Sequence, residues 1–167
     1  SRCAGCGSTH VLLPVSLAAR RADAAAVIAA AVSANVVRAR GHRSIAAWLG
    51  RPVSTVRGWL RGFARAAGTI AQRFAVLMVR DAPDAAALWP APQPHATGEA
   101  LSNLAGYAAA VAARFGVGTL AWHRTGITAT NGWLFSASWW ARRGQHQLAP
   151  YPGSGGSAGS RSGPHPW

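Results

Sequence analysis

The stretch Ser44-Ile45-Ala46-Ala47-Trp48-Leu49-Gly50-Arg51-Pro52-Val53-Ser54-Thr55-Val56-Arg57-Gly58-Trp59-Leu60 decides how this chain is read. Two short helices that cross at a wide angle need a small residue where their backbones approach, and Ala46 fits. The tight turn between them needs a residue that tolerates positive φ, and Gly50 fits. The crossing has to be buried from both sides. Ile45 and Leu49 supply one side; Val56, Trp59 and Leu60 supply the other. The spacing predicts a helix over 44–49 with Ser44 as its N-cap or first residue. Gly50 ends it, Pro52 lies in the turn, and a second helix capped by Ser54 runs to about Ala66.

Working outward, residues 22–39 predict a preceding helix. Asp23 sits in its first turn, where a negative charge suits the dipole, and Arg38 and Arg40 close it. Val27, Ile28, Ala31, Val32 and Ala34 recur at helical spacing along it. A further helix is expected over 69–80, with Ile70, Phe74, Leu77 and Met78 as its apolar stripe. Pro83, Pro90, Pro92 and Pro94 mark a linker over 81–96, after a short turn at 84–89. Residues 97–115 predict a helix capped by Thr97, with Glu99 in its first turn and Leu101, Leu104, Ala105, Ala108 and Val111 as its stripe. Shorter helical pieces are expected at 117–122 and 132–142. Gly, Ser, Pro and Gln without periodicity predict disorder over 144–167. The expected architecture is therefore all-α. It has a Cys knuckle at 1–20, a helix-turn-helix domain at 21–80, a Pro-rich linker at 81–96, a helical region at 97–143 and a tail at 144–167.

Charge narrows the partner. The 167 residues carry a net charge of +13 from 17 basic and 4 acidic side chains. Every basic residue is Arg. Codon bias toward G+C explains Arg over Lys, but not the shortage of acids. Residues 1–80 hold 12 Arg and one acid, Asp23, a net +11; residues 81–167 hold 5 Arg and three acids, a net +2. Such a field draws polyanions, nucleic acid first and an anionic membrane surface as the alternative. No segment reaches the ~20 apolar residues of a membrane-spanning helix. No secretory signal peptide is expected, so the sequence reads as a cytoplasmic, nucleoid-associated protein with no membrane partner.

Residues 44–63 resemble the helix-turn-helix of bacterial transposases and related mobile-element proteins, whose pattern runs roughly I-A-x-x-L-G-x-s-x-s-T-V-x-x-W-L. Arg51 departs from it, standing where that family carries an apolar residue. The wider stretch 3–66 is similar to short transposase-associated proteins that join a Cys-x-x-Cys zinc-ribbon piece, a V-L-L-P segment and this helix-turn-helix. Here these are Cys3-Ala4-Gly5-Cys6, Val11-Leu12-Leu13-Pro14 and 44–63; the family's further Cys pair upstream is missing. The resemblance implies a homeodomain-like three-helix core, double-stranded DNA as the partner, and a place beside a transposase.

In such a domain the second helix enters the major groove with its amino end toward the bases. Val56, Trp59, Leu60 and Phe63 then face inward, leaving Ser54, Thr55, Arg57, Gly58 and Arg61 outward. Arg57 and Arg61 are four apart, hence on one face, and Arg pairs bidentately with guanine. Gly58 lets the backbone approach closely. Arg40, Arg43, Arg51 and Arg65 are expected on phosphates, which position without specifying sequence. The plain alternative is a helical hairpin with a solvated Arg face. Trp48 and Trp59 read as core or cover residues rather than base-stacking platforms.

Cys3 and Cys6 supply two of the four ligands of a zinc ribbon, with His10 as a potential third. That is half a site, and zinc is expected only if a second pair lies upstream. His42, His95, His123, His146 and His165 are scattered. No enzymatic activity is expected. A transposase core needs three carboxylates holding two metal ions, and only Asp23, Asp81, Asp84 and Glu99 exist, the last three around the linker. Neither Gly-x-Ser-x-Gly nor a phosphate-cradling loop is present. Two other readings stay open. One is a transcriptional regulator whose 97–142 segment dimerises or senses a ligand. The other is an interaction module docking through Trp133, Leu134, Phe135, Trp139 and Trp140.

Overall fold

The structure, a computed structural model, describes residues 14, 16–19 and 21–136. Cys3, Cys6, His10, Trp139, Trp140 and the 144–167 tail lie outside the described residues. Described elements are helical: α1 (Ala25–Val36), α2 (His42–Leu49), α3 (Val53–Asp81), a 3₁₀ helix (Pro83–Leu88), α4 (Ala96–Arg114) and α5 (Trp122–Ala129). Among them no strand forms, only an isolated bridge between Leu17 and Ala24.

The three hydroxyl caps expected from sequence are not used. Ser44 is the third residue of α2, whose N-cap is Gly41. Ser54 lies inside α3, which Pro52 precedes, and Thr97 lies inside α4 after His95. None of these helices has a side-chain cap bond. Pro52 explains one case: its fixed φ suits a helix entry, so α3 starts two residues earlier than a Ser54 cap would place it.

The turn between α2 and α3 does require its glycine. Gly50 adopts φ +61° and ψ +40°, and its N–H reaches the Ala46 and Ala47 carbonyls. The Arg51 N–H donates to Ala46 O at 3.0 Å. Left-handed closure of this kind satisfies the last carbonyls of a helix. A Cβ at Gly50 would meet nothing within 4 Å, so the constraint is conformational rather than steric crowding. Gly50→Val is accordingly expected to destabilise the protein by more than ~1 kcal/mol, because a β-branched residue strains in the left-handed region. An unchanged melting temperature would show that the turn adapts.

α3 departs from the expected pair of helices: it runs unbroken through 66–69. Gly68 is exposed and costs about 1 kcal/mol in a helix interior. Against that, Val56, Trp59, Phe63, Ala67, Ile70, Phe74 and Leu77 are all buried and stay in phase through the glycine. Burial of a continuous stripe outweighs one poor helix former.

α4 lies along the carboxyl half of α3 and points the same way. Asn103 Nδ2 donates to Ala71 O at 3.0 Å, and Phe74 meets the Tyr107 ring edge-on at 5.4 Å. The Tyr107 hydroxyl donates to Asp81 Oδ2 at 2.9 Å, and Arg114 Nη1 to Asp81 O at 2.6 Å. Residue numbers rise together along the seam. Burial and the neighbouring Asp81 carboxylate push the Tyr107 hydroxyl up to about 12, while the Arg80 guanidinium and the Tyr107 bond hold Asp81 below its ordinary range.

Two parallel neighbours need a connection that travels back their full length. Residues 89–95 make that return, descending α4 in reverse. Pro90 packs on Gly106, where a Cβ would come within 2.7 Å of the proline ring, and Gln93 packs on Gly98. The Gln93 N–H donates to Glu99 Oε2 at 2.6 Å. Proline suits such a run because it fixes φ and brings no N–H that needs a partner. The prolines read as a linker thus form a fitted strap.

α5 closes the layer. Gly126 sits against Leu104 and Leu134, and buried Thr130 returns its hydroxyl to Gly126 O at 2.8 Å. The expected helix over 117–122 is a loop up to Ala121, with Gly116 at φ +60° and Val117 and Leu120 exposed, and the helix there begins only at Trp122. Ala19 N–H donates to Gly132 O and Arg21 Nη2 to Phe135 O, joining the segment before α1 to the one after α5. One cluster of buried residues draws on all five α-helices. Leu134 and Phe135, 1% and 6% exposed, belong to it and are not available for docking.

Candidate nucleic-acid interface

Residues 24–80 contain nine arginines and no acid. The amino half of α3 sorts its side chains by face. Val56, Trp59 and Phe63 are buried and Leu60 is half-buried, whereas Ser54, Arg57, Gly58, Arg61 and Arg65 are exposed and Thr55 is half-buried. Arg43 is exposed on α2. A Cβ at Gly58 would meet nothing within 4 Å, so no internal contact calls for a glycine there. The result is a smooth backbone step between two arginines one turn apart.

Arg57 is not loose. Its Nη2 lies 3.1 Å from His42 Nε2. A guanidinium only donates, so in this contact the His42 ring nitrogen is the acceptor. Arg65 Nε donates to Arg61 O at 3.4 Å. Asn35, His42, Leu60 and Arg61 share a shallow hollow with Arg57.

Two further residues near this face make contacts within the chain. Arg51 Nε donates to Asp23 Oδ1 at 2.7 Å, pinning the α2–α3 turn to the start of α1. Its guanidinium is engaged within the chain. Trp48 is half exposed, a cover residue, and the Arg40 guanidinium lies 5.3 Å from its ring centroid. Arg40 Nη2 also donates to Ser44 Oγ at 3.0 Å. Aromatic and cation stabilise each other at the surface in such a stack. No local spacing in the sequence marks the His42–Arg57 contact.

The four acids are dispersed. Asp23 holds Arg51, Asp81 holds Arg80 and Tyr107, Glu99 accepts from Gln93, and Asp84 is exposed on the 3₁₀ helix. His95 precedes α4, and His123 is partly buried beside Trp122; burial lowers its pKa. Among the described residues no three His, Cys, Asp or Glu side chains converge as metal ligands. No described helix is long and apolar enough to cross a membrane. Comparison with protein-family models, curated proteins and solved structures finds no match to this chain.

Proposed function

We propose that this chain binds double-stranded DNA, with α2 and α3 acting as a helix-turn-helix in a homeodomain-like α1–α3 core. The observation that carries the reading is the pair Arg57 and Arg61. They stand exposed and one turn apart at the amino end of a helix whose other face is buried, within a stretch devoid of acids. The amino end of a helix adds its own positive field. Arg57 and Arg61 read base edges, with Ser54, Thr55 and the bare backbone of Gly58 beside them. Arg43 and Arg65 flank that face and hold phosphates; Arg51, engaged by Asp23, contributes less. We further propose, on the resemblance of residues 44–63 and 3–66 to transposase-associated sequences, that the chain acts beside a transposase. In this reading the chain delivers or positions DNA and does no chemistry on it.

The direct test is titration of a fluorescent duplex across a salt series. With ~4–6 phosphates neutralised, log affinity is expected to fall against log salt with a slope of about −4 to −5. A slope near zero, or no binding at low salt, overturns the proposal. Selection of duplexes from a random pool then gives the preferred site.

A further inference from the structure

His42 opens α2 and, half-buried, brings its Nε2 to 3.1 Å from Nη2 of the exposed Arg57 on α3. Leu60 lines the same hollow, with Asn35 from α1 and Arg61 from the next turn of α3. A guanidinium carries five N–H donors in a rigid planar fork. Nη2 holds two of them, one on each of the two edges that can grip a base with paired bonds. A single bond to His42 occupies one of these N–H groups and leaves the other edge whole. The contact therefore restrains Arg57 without exhausting its capacity for a bidentate pair.

We propose that His42 is a positioning residue for base recognition: it holds the Arg57 guanidinium in one orientation before DNA arrives, and protonation of its ring releases the hold. The inference rests on the DNA-binding reading and names what sharpens the specificity of that face. A long side chain that has to be ordered on binding gives up affinity, so an arginine already held in place favours its own base more strongly.

The hold needs the neutral ring, because an imidazolium only donates. Histidine is the side chain whose charge ordinarily changes between about pH 5 and 8. Sharing the hollow with the ring are Asn35 from α1 and Arg57 and Arg61 from α3; Arg43 is its neighbour along α2. The Asn35 amide donates to Arg40 O, and the Arg40 guanidinium is taken up by Ser44 and the Trp48 ring. No carboxylate lines the hollow. A charged His42 thus faces guanidinium groups with nothing in the hollow to offset it, and Arg57 moves off. The phosphates of a bound duplex do offset it. Acidification is therefore expected to strengthen binding to every duplex while weakening the preference among them. Those two trends separate this role from its rivals: an added cation alone strengthens all duplexes equally, and lost structure weakens all of them.

The test titrates the full chain with the duplex selected from the random pool and with a scrambled duplex of equal length, at fixed salt, between about pH 8 and about pH 5.5. In wild type the ratio of the two dissociation constants is expected to shrink about threefold to tenfold across that range, while the scrambled duplex binds more tightly. His42→Ala is expected to show the smaller ratio already at the higher pH and to keep it at the lower. In an Arg57→Ala background, removing His42 should change the ratio no further. A wild-type ratio indifferent to pH overturns the proposal. So do equal losses from His42→Ala with and without Arg57, which would make His42 a base contact in its own right. The wild-type profile needs no substitution, so it decides the matter even where a variant folds poorly. A second readout uses no DNA: the nitrogen NMR signal of the Arg57 guanidinium is expected to move across the same pH range in wild type and to stand still in His42→Ala. Duplex binding with a constant ratio removes the role of His42 and leaves the DNA reading standing. An Arg57 signal that follows pH in a chain that binds no duplex removes the DNA reading and the positioning role with it.

Discussion

Replacing Phe74 with alanine is expected to cost about 3–5 kcal/mol of stability. Phe74 is fully buried at the middle of the α3–α4 seam, edge-on to Tyr107. Truncation removes its apolar area from the core and leaves a cavity. The walls of that cavity cannot easily close. Asn103 ties α4 to Ala71 on one side, and Tyr107 and Arg114 tie it to Asp81 on the other. Since domains are stable by only about 5–15 kcal/mol, this one side chain carries a large share. Denaturant titration followed by circular dichroism reads the effect, and a single transition moving to lower denaturant is the expected result. A flexible linker over 81–96 would instead give α4 and α5 a transition of their own, with the first helices unmoved. Phe74 is several turns from Arg57, so the folded fraction should still bind duplex with unaltered affinity.

The second large effect concerns DNA. Arg57→Ala and Arg61→Ala are each expected to cost about 1–3 kcal/mol on the preferred duplex and much less on unrelated sequence. Arg43→Ala and Arg65→Ala should weaken binding to all duplexes about equally and make the salt slope shallower by about 1. Arg51→Ala supplies the internal contrast. Its partner is Asp23 across an exposed ion pair, so its loss should lower stability by under about 1 kcal/mol and leave base preference intact. These outcomes separate side chains that all look alike in a count of arginines. If the Arg57 and Arg43 variants behave identically, α3 does not lie in the groove as proposed.

Local pattern revealed phase, and it revealed little about partners. The buried set Val56, Trp59 and Phe63 against the exposed Arg57 and Arg61 follows from helical spacing alone, and the conformation of Gly50 follows from its place after Leu49. Leu101, Leu104 and Ala108 are buried along α4 as their spacing requires, although Ala105 in the same stripe is exposed. The continuity of α3 was hidden because its apolar stripe reads as two helices, one ending near Ala66 and one starting at 69, and what joins them is packing against residues more than thirty positions away. The direction of α4 was hidden for a similar reason: prolines say only that a segment is extended, and Gly106 says only that something approaches. At the site, exposure of the arginines was legible. Which of them is engaged was not, because Asp23 and Arg51 are 28 residues apart and His42 and Arg57 are 15 apart.

The unbroken α3 also governs how the molecule comes apart. Its amino half buries Val56 and Trp59, and its carboxyl half buries Phe74 and Leu77 with α4. Neither half can unravel without the other losing the helix it packs on, so amides from Val56 to Met78 exchange with solvent only when the whole domain opens. The 115–121 loop is exposed throughout and stands outside that cooperative unit. A nick or insertion there leaves the arginine face intact, whereas one between Ala66 and Ile70 dismantles both ends at once.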